Sequence, residues 1–480
     1  MRTCGRTGLI VLCLMLVMVS GLSCEAEHNL KEVADIWQHL NTFRDTITVD
    51  RAKNPDNLKK LTITVDQDID LLRKRLKEQY GTIPEGVSIL KYLPKGPVLD
   101  GSVDYREAFQ KAINENKCVV IPGSNDPKKP NVYGISIDPS TRSGILIPDG
   151  HILVGQPHAT IKRLPSTGVL IRVGKGARLI GITADGNKAA HWPAFKDNVG
   201  KDGGVAVYMM GGCVVQDCTV YDSPGHAFAT HRNDNIVMRC VGRNCGYIDL
   251  RYNATFYRGK WDKWSGDAFY IRGYNNLVID CEAYDCFRWG YTTCHAKSGG
   301  STFINCTMKN ALWETYGFID IEGCYDDWEG TVLINMKSTQ GSIAISTNNT
   351  RVINCESGRI TVYNADNTLI AGCTTHGGGL GIGGWTSTKN AYVRGGNSPV
   401  VIDNTIVKSG VGSGIDNVSD WSLSVYSTDG KGIAVNNVLK EYKGKLGTGP
   451  GMKFNKVATA NNRIKYGVWL NEETTQTKAQ

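Results

Sequence analysis

Short apolar runs recur through the middle of the chain, and most of them end in a polar residue followed by cysteine, as in Leu277-Val-Ile-Asp-Cys281. Seven copies end at residues 218, 240, 281, 306, 335, 355 and 373. The intervals between them are 22, 41, 25, 29, 20 and 18 residues. Apart from the interval of 41, these are solenoid spacings, in which each repeat stacks on its neighbours around one continuous core.

A different pattern precedes this repeat. Apolar residues at spacings of three, four or seven predict two amphipathic helices within a helical segment at 24–82, followed by a Pro- and Gly-containing linker at 83–97. The helices could form a hairpin packed on the main body, or a coiled coil that joins copies of the chain into a homo-oligomer. The residues that carry the pattern are Leu30, Val33, Trp37, Leu40 and Ile47, then Leu58, Leu61, Val65, Ile69, Leu72 and Leu76.

From residue 98 the chain predicts strands, with one short helix over 105–113 and a polar tail at 472–480. The helix, Val120-Ile-Pro-Gly123, Leu146-Ile-Pro-Asp-Gly150 and Ile182-Thr-Ala-Asp-Gly-Asn187 resemble the opening of pectate-lyase-like proteins. That resemblance implies an all-β fold, a right-handed parallel β-helix over 98–471, with the helix capping its N-terminal end. It leaves the reaction open, because such folds host lyases, epimerases, hydrolases and phage tailspikes.

The first 23 residues have the form of a signal peptide. A basic start is followed by a short apolar stretch, Gly8 to Val19, and by small residues before Cys24. The site is also similar to a bacterial lipobox, with leucine displaced by one position, so we expect a secreted or lipid-anchored cell-surface protein without a transmembrane span. Cleavage removes two arginines and lowers the formal net charge from +8 to +6. A mildly basic chain suits an acidic polymer.

The cysteines allow two interpretations. Twelve of the 15 lie between Cys118 and Cys373, where three Cys-x4-Cys pairs could form disulfides in an exported protein. The alternative is a ladder of buried thiols stacked at one repeat position. Their spacing does not predict a zinc site.

Aligning the strand-like segments places ionisable residues on one outward face. Ala229, Tyr270, Thr293 and Asp320 form one predicted column, and His231, Arg272, His295 and Glu322 form the next. The interval of 41 holds an aromatic and basic insertion, with 13 aromatics among the 45 residues 247–291. Aromatic rings stack on sugars, and arginines and lysines pair with carboxylates or sulfates, so the expected substrate is a uronate or sulfated polysaccharide. The predicted substrate-binding residues are His226, Arg251, Tyr252, Arg258, Lys260, Trp261, Trp264, Arg288 and Trp289.

Three reactions on an acidic polysaccharide fit these residues. In a β-elimination, Arg272 would neutralise a uronate, His231 or His295 would take its C5 proton, and Tyr270 would protonate the leaving oxygen. In C5 epimerisation, a proton would return from the opposite face. In hydrolysis, the carboxylates would be Asp267, Asp320 and Glu322, of which the last two would lie roughly 6.5–7 Å apart between Cα atoms.

The segment Gly225-His-Ala-Phe-Ala-Thr-His231, with Asp267 downstream, also resembles the Gly-Tyr-Gly-Phe-Asp-Pro-His and Asp-Gly-Phe motifs of alginate epimerases. Here His226 replaces the tyrosine and Ala229 the first aspartate, so the motif is incomplete. A non-catalytic adhesin that only binds polysaccharide is the remaining alternative. Asp326 and Asp327 could bind Ca²⁺, although no ligand spacing requires it. No sequence motif indicates a nucleotide or nucleic-acid partner.

Overall fold

Parallel strands stacked in long sheets form the body of the protein. The computed structural model describes residues 30–190, 204–246, 266–286, 289–293, 300–309, 317–321, 330–338, 341–363, 365–376, 378–382, 386–387, 391–392, 396–407, 423–442, 452–466 and 473–475. Each rung of the solenoid contributes one strand to each of three faces, and each strand pairs with its equivalent in the next rung. This topology confirms the predicted parallel β-helix.

The longest sheet, called sheet A, has 14 strands. They are Val87–Ser88, Cys118–Ile121, Ile152–Gly155, Arg178–Ile180, Val214–Gln216, Ile236–Met238, Leu277–Ile279, Thr302–Ile304, Val332–Ile334, Arg351–Ile353, Leu369–Ala371, Val400–Ile402, Gly432–Val435 and Val457–Ala460.

Sheet B has eight strands: Asp100–Asp104, Asn131–Ile135, Ala159–Arg163, Thr183–Asp185, Thr219–Tyr221, Val241–Arg243, Glu282–Tyr284 and Thr307–Lys309. Bridges through Lys337 connect it to a sheet of six strands, Glu356–Ser357, Thr374–His376, Thr405–Val407, Val438–Tyr442, Arg463–Tyr466 and Glu473–Thr475.

Sheet C has 12 strands: Ser143–Ile147, Val169–Val173, Val207–Met209, Phe228–Thr230, Phe269–Ile271, Trp289–Thr293, Gly317–Ile321, Ser342–Ile345, Arg359–Val362, Leu380–Ile382, Leu423–Tyr426 and Met452–Asn455. A short antiparallel pair, Thr386–Ser387 with Ala391–Tyr392, lies apart from the three faces.

The polar residue before each repeated cysteine turns the chain from sheet A towards sheet B. Asp217, Asp280, Asn305 and Asn354 have φ angles of 56°, 55°, 51° and 51°. Asp and Asn adopt this left-handed conformation more readily than other residues with a side chain. The next side chain then points into the core. The repeated phrase is therefore a strand, a left-handed corner and a buried residue.

The cysteines form the predicted buried ladder. All nine described cysteines from Cys213 to Cys373 are free and buried. The register places six of them at one repeat position, Cys218, Cys240, Cys281, Cys306, Cys355 and Cys373. Burial raises the pKa of Cys213 to about 11, and it also raises the pKa of the Cys281 and Cys355 thiols. The ladder position is later occupied by asparagine, since Asn404 Nδ2 donates to Asn437 Oδ1 at 2.9 Å.

Helices cover the outer face of sheet A. Helix α1 spans Lys31–Thr46, α2 spans Val49–Ala52 and α3 spans Asp56–Tyr80. Their buried side chains form one apolar cluster with outward residues of sheet A from Val214 to Val435. Sheet A is thus apolar on both faces, which explains its uninterrupted apolar strands. Of the two predicted arrangements, the structure has the packed hairpin, and the apolar stripes of its helices pack against sheet A.

Helix α4, Arg106–Glu115, closes the N-terminal end of the core as predicted. Phe109, Ala112 and Ile113 are buried in the central cluster, and the Phe109 ring meets the Tyr133 ring edge-on at 5.5 Å. Among the described residues, no helix combines the length and apolarity needed to cross a membrane.

Two predicted boundaries need correction. The segment 83–97 was expected to be a linker, but Val87–Ser88 is the first strand of sheet A and pairs with Cys118–Ile121. A short 3-10 helix, Ile89–Lys91, follows it, and Ile89 is buried in the core. In the predicted polar tail, Glu473–Thr475 pairs antiparallel with Arg463–Tyr466. Backbone pairing holds both segments despite their weak apolar patterns.

We predict that Leu72→Ala destabilises the fold by about 2–5 kcal/mol, because Leu72 is fully buried between helix and sheet. The adjacent Leu71 is 56% exposed. Leu71→Ala should therefore change the free energy of unfolding by less than about 0.5 kcal/mol. Urea unfolding of the two variants measures both effects, and equal losses would contradict the packing of the hairpin.

We also predict that an alkylating reagent modifies Cys118 before the nine buried cysteines between Cys213 and Cys373, because Cys118 is only partly buried. A thiol reacts as the accessible thiolate, and burial opposes both access and ionisation. Mass spectrometry of peptides from native and unfolded protein would locate the modified sites. Early modification of Cys281 or Cys355 in the native protein would refute the ladder.

Candidate functional site

The outward face of sheet C carries a column of polar and aromatic side chains. Its register pairs Arg172 with Tyr208, Tyr208 with Ala229, Ala229 with Tyr270, Tyr270 with Thr292, and Thr292 with Asp320. Adjacent members are about 4.8 Å apart along the stack. The predicted alignment of Ala229, Tyr270 and Asp320 is confirmed, and we call this set the outer column of sheet C.

The prediction for strand Trp289–Thr293 was wrong by one residue. Tyr291 points into the core, where its ring stacks on Phe269 at 4.9 Å, and Thr292 takes the outward place predicted for Thr293. The buried Tyr291 hydroxyl has acceptors for its proton, since the carbonyl oxygens of Cys281 and Thr307 both lie 2.9 Å away. A satisfied hydroxyl and an aromatic stack favour this register.

His226 is held at the edge of the column by Asp267 and Tyr270. The Asp267 backbone N–H donates to His226 Nδ1 at 3.3 Å, and a carboxylate oxygen of Asp267 lies 3.5 Å from the same nitrogen. In the neutral ring the proton then resides on Nε2, because Nδ1 acts as an acceptor. The ring stacks on Tyr270, with centroids 4.1 Å apart and planes 17° apart.

Asp267 is completely buried. Besides facing His226, its carboxylate accepts a hydrogen bond from the Trp289 backbone N–H at 3.2 Å. It therefore ties three successive rungs together and orients His226. Trp289, predicted to bind substrate, is buried as well, with 5% of its surface exposed.

His231 lies on the exposed side of the same group. Its ring is 5.7 Å from Tyr270 and 5.7 Å from Tyr208, measured between centroids. The Arg172 guanidinium lies over the Tyr208 ring at 5.6 Å. The result is a cluster of aromatic rings in which Tyr270 is next to both histidines.

The charges of three arginines act on the hydroxyl of Tyr208. Burial raises the pKa of its hydroxyl, while the positive charges of Arg232, Arg172 and Arg272 lower it. Arg272 comes directly after strand Phe269–Ile271, at the position that matches His231 on the neighbouring rung. Its backbone N–H donates to the carbonyl oxygen of Thr230 at 3.0 Å. The three guanidinium groups give this end of the outer column a positive potential suited to a carboxylate.

The structure thus brings together five of the predicted residues, His226, His231, Asp267, Tyr270 and Arg272. Asp320 is placed in the column by its backbone register alone. The other predicted residues lie outside the described residues, namely Arg251, Tyr252, Arg258, Lys260, Trp261, Trp264, Arg288, His295 and Glu322. Asp326 and Asp327, considered for Ca²⁺, are also outside them. No group of three side chains that could hold a metal ion occurs within the described part.

Sequence reasoning missed Arg172, Tyr208 and Arg232. Arg172 and Tyr208 are the central residues of Leu-Ile-Arg-Val and Val-Tyr-Met, where a polar side chain interrupts an apolar strand. That alternation marks an outward position. Extending the strand alignment two rungs towards the N-terminus would have found both.

Three comparisons with known proteins were made, and only solved structures gave matches. No protein-family model matches the chain, and no curated relative matches it. Among solved structures, the mannuronan C-5 epimerase AlgE6 A-module of Azotobacter vinelandii is 15% identical, covering 78% of this chain and 99% of its own at a TM-score of 0.49. A GH87 α-1,3-glucanase catalytic domain is 11% identical, covering 79% and 71% at a TM-score of 0.45. A tailspike of E. coli bacteriophage HK620 is 10% identical, covering 79% and 80% at a TM-score of 0.40.

The charges around Tyr208 give a testable expectation. Replacing Arg232 with glutamine removes a positive charge that lowers the Tyr208 pKa, so that pKa should rise further. Arg239→Gln is the matched control, because Arg239 is exposed and paired with Asp217 on another face. Titration of ring-labelled tyrosine by NMR measures the shift, and an unchanged or lower pKa in Arg232→Gln would contradict the electrostatic arrangement.

Proposed function

We propose that the protein acts on an acidic polysaccharide by removing the C5 proton of a uronate, in β-elimination or C5 epimerisation. The observation that supports this most directly is the histidine–tyrosine group with arginines beside it. Proton abstraction next to a carboxylate needs a base, an acid and a positive charge. His231, Tyr270 and Arg272 supply these groups within one surface.

In the proposed reaction, Arg272 pairs with the uronate carboxylate and makes the adjacent C5 proton more acidic. The exposed His231 accepts that proton as the C5–H bond breaks. In elimination, the electron pair forms the C4–C5 double bond and the C4–O bond breaks. Tyr270 then protonates the leaving oxygen. In epimerisation the C4–O bond stays intact and a proton is delivered to the other face of C5.

His226 would support this chemistry by position. Asp267 fixes its ring, and the ring stacks on Tyr270 with centroids 4.1 Å apart. The stack would hold the Tyr270 ring in place next to His231, whose ring is 5.7 Å away.

The described geometry of Asp267 does not suit a role in hydrolysis. Of the three carboxylates considered for hydrolysis, Asp267 is fully buried, and its oxygens face His226 and the Trp289 N–H. It therefore cannot approach a glycosidic oxygen without leaving these partners. Export through the predicted signal peptide would place the enzyme where such polysaccharides occur, at the cell surface or outside the cell.

The test is incubation with a panel of uronate polymers. Elimination creates an unsaturated sugar that absorbs ultraviolet light, whereas epimerisation changes the NMR signals of C5 without cleaving the chain. His231→Ala and Arg272→Ala should each lower the rate by at least ~10²-fold. Tyr270→Phe should abolish elimination while it preserves the aromatic stack.

Matched controls are available on other faces of the protein. His376→Ala replaces a half-exposed histidine that pairs with Glu356, and Arg239→Ala replaces an exposed arginine. Both should retain full activity. New reducing ends without ultraviolet absorbance would indicate a hydrolase instead. Binding without any chemical change would indicate an adhesin, and either result would refute the proposed reaction.

A further inference from the structure

An elongated cavity of about 690 Å³ lies between helix α1 and the turns that lead into sheet A. It is separate from the outer column of sheet C, since none of the column residues lines it. One wall is a stripe of α1, and the other is formed by successive rungs from Asp234 to Asn367. Leu30 and Arg44 mark the two ends of the stripe, about 21 Å apart at 1.5 Å per residue.

Two arginines line one end of this cavity. Arg44 Nη2 donates to Asn367 Oδ1 at 2.9 Å, and Arg351 Nη1 donates to Asn367 O at 2.5 Å. Both guanidinium groups therefore converge on one residue. The pKa of Arg351 is lowered to about 10, mainly by burial. The nearby positive charge of Arg44 contributes to the same decrease.

The two positive charges share a single carboxylate, that of Asp45, which also lines the cavity. Asp45 pairs with Arg44 Nη1 at 2.7 Å, while the buried Nε of Arg44 has no hydrogen-bond partner among the described residues. Arg351 is 4% exposed, and its Nε and Nη1 donate to neutral acceptors, Asn41 Oδ1 and the carbonyl oxygens of Thr350 and Asn367. One carboxylate beside two guanidinium groups leaves a net positive charge, and a buried cation without its own counter-charge is costly. An anion bound between the two arginines would balance the second charge.

The remaining lining suits a sugar. Trp37 lies one heptad before Arg44 on α1 and is anchored by a hydrogen bond from its Nε1 to Thr302 Oγ1 at 3.1 Å. Asparagines contribute the amide groups of the cavity, namely Asn41, Asn275, Asn276, Asn349 and Asn367. Amides donate to and accept from hydroxyl groups, and an indole provides a flat apolar surface.

From this geometry we propose that the cavity is a second, non-catalytic binding site for an acidic oligosaccharide. A carboxylate would sit between Arg44 and Arg351, and the sugar rings would extend along α1 past Trp37. The choice of an acidic glycan as the ligand class rests on the proposed function. The site itself rests on the cavity and its two arginines, so it can be tested separately.

Calorimetric titration of the full chain with short oligogalacturonates and oligomannuronates tests this proposal. Wild-type protein should bind one of them at two sites, and Arg272→Ala should retain only the site beside α1. In that background, Arg44→Gln should weaken the remaining binding at least tenfold, because a charge-assisted contact is lost. Neutral maltotetraose should bind at least tenfold more weakly than the acidic oligosaccharides.

Arg75→Gln is the matched control, since it removes one exposed positive charge from α3. Trp37→Phe should weaken binding and abolish the ligand-dependent change in tryptophan fluorescence. Unfolding midpoints of Arg44→Gln and Trp37→Phe verify that both remain folded. Binding by Arg44→Gln that equals binding by Arg75→Gln would overturn the proposal, as would equal binding of neutral and acidic sugars. If the protein proves inactive on uronates, loss of one binding site in Arg44→Gln would still support the proposal that the cavity binds an acidic oligosaccharide.

Discussion

The corner between sheets A and B is the constraint on which the rest of the structure depends. At most rungs an Asp or Asn takes a positive φ at this corner, at others Gly181, Arg239 or Gly372 does, and the next side chain enters the core. Because a shift of one residue would turn every side chain of a strand to the opposite face, this corner fixes which residues of the following strands are exposed. The outer column of sheet C follows from that register.

The three faces of the solenoid differ in what covers them. Sheet A presents apolar residues outward and is covered by the N-terminal helices. Sheet C instead presents Arg172, Tyr208 and Tyr270 outward. It is this face for which we propose polysaccharide binding. The helices create a different kind of surface, a narrow cavity in which two arginines are enclosed.

Much of the fold could be predicted from the sequence, because its rules are local. A polar residue before cysteine predicts the corner, and spacings of three and four predict the helices. The site was harder to predict. His231, Tyr270 and Arg272 were found by alignment with neighbouring rungs, but Tyr291 was misplaced because its position depends on stacking with Phe269 from another rung. The cavity arginines, Arg44 and Arg351, are 307 positions apart in sequence and meet only through tertiary packing.

The helical hairpin has a consequence for the order of folding. Asn436 Nδ2 donates to the carbonyl oxygen of Ala52 at 2.7 Å, a contact that joins residues 384 positions apart. The helices leave the ribosome first, yet the strands they cover are completed near the end of synthesis. Contacts this distant form slowly, and the uncovered apolar face is prone to aggregation until they form. Docking of the hairpin is therefore a late event that follows completion of the solenoid.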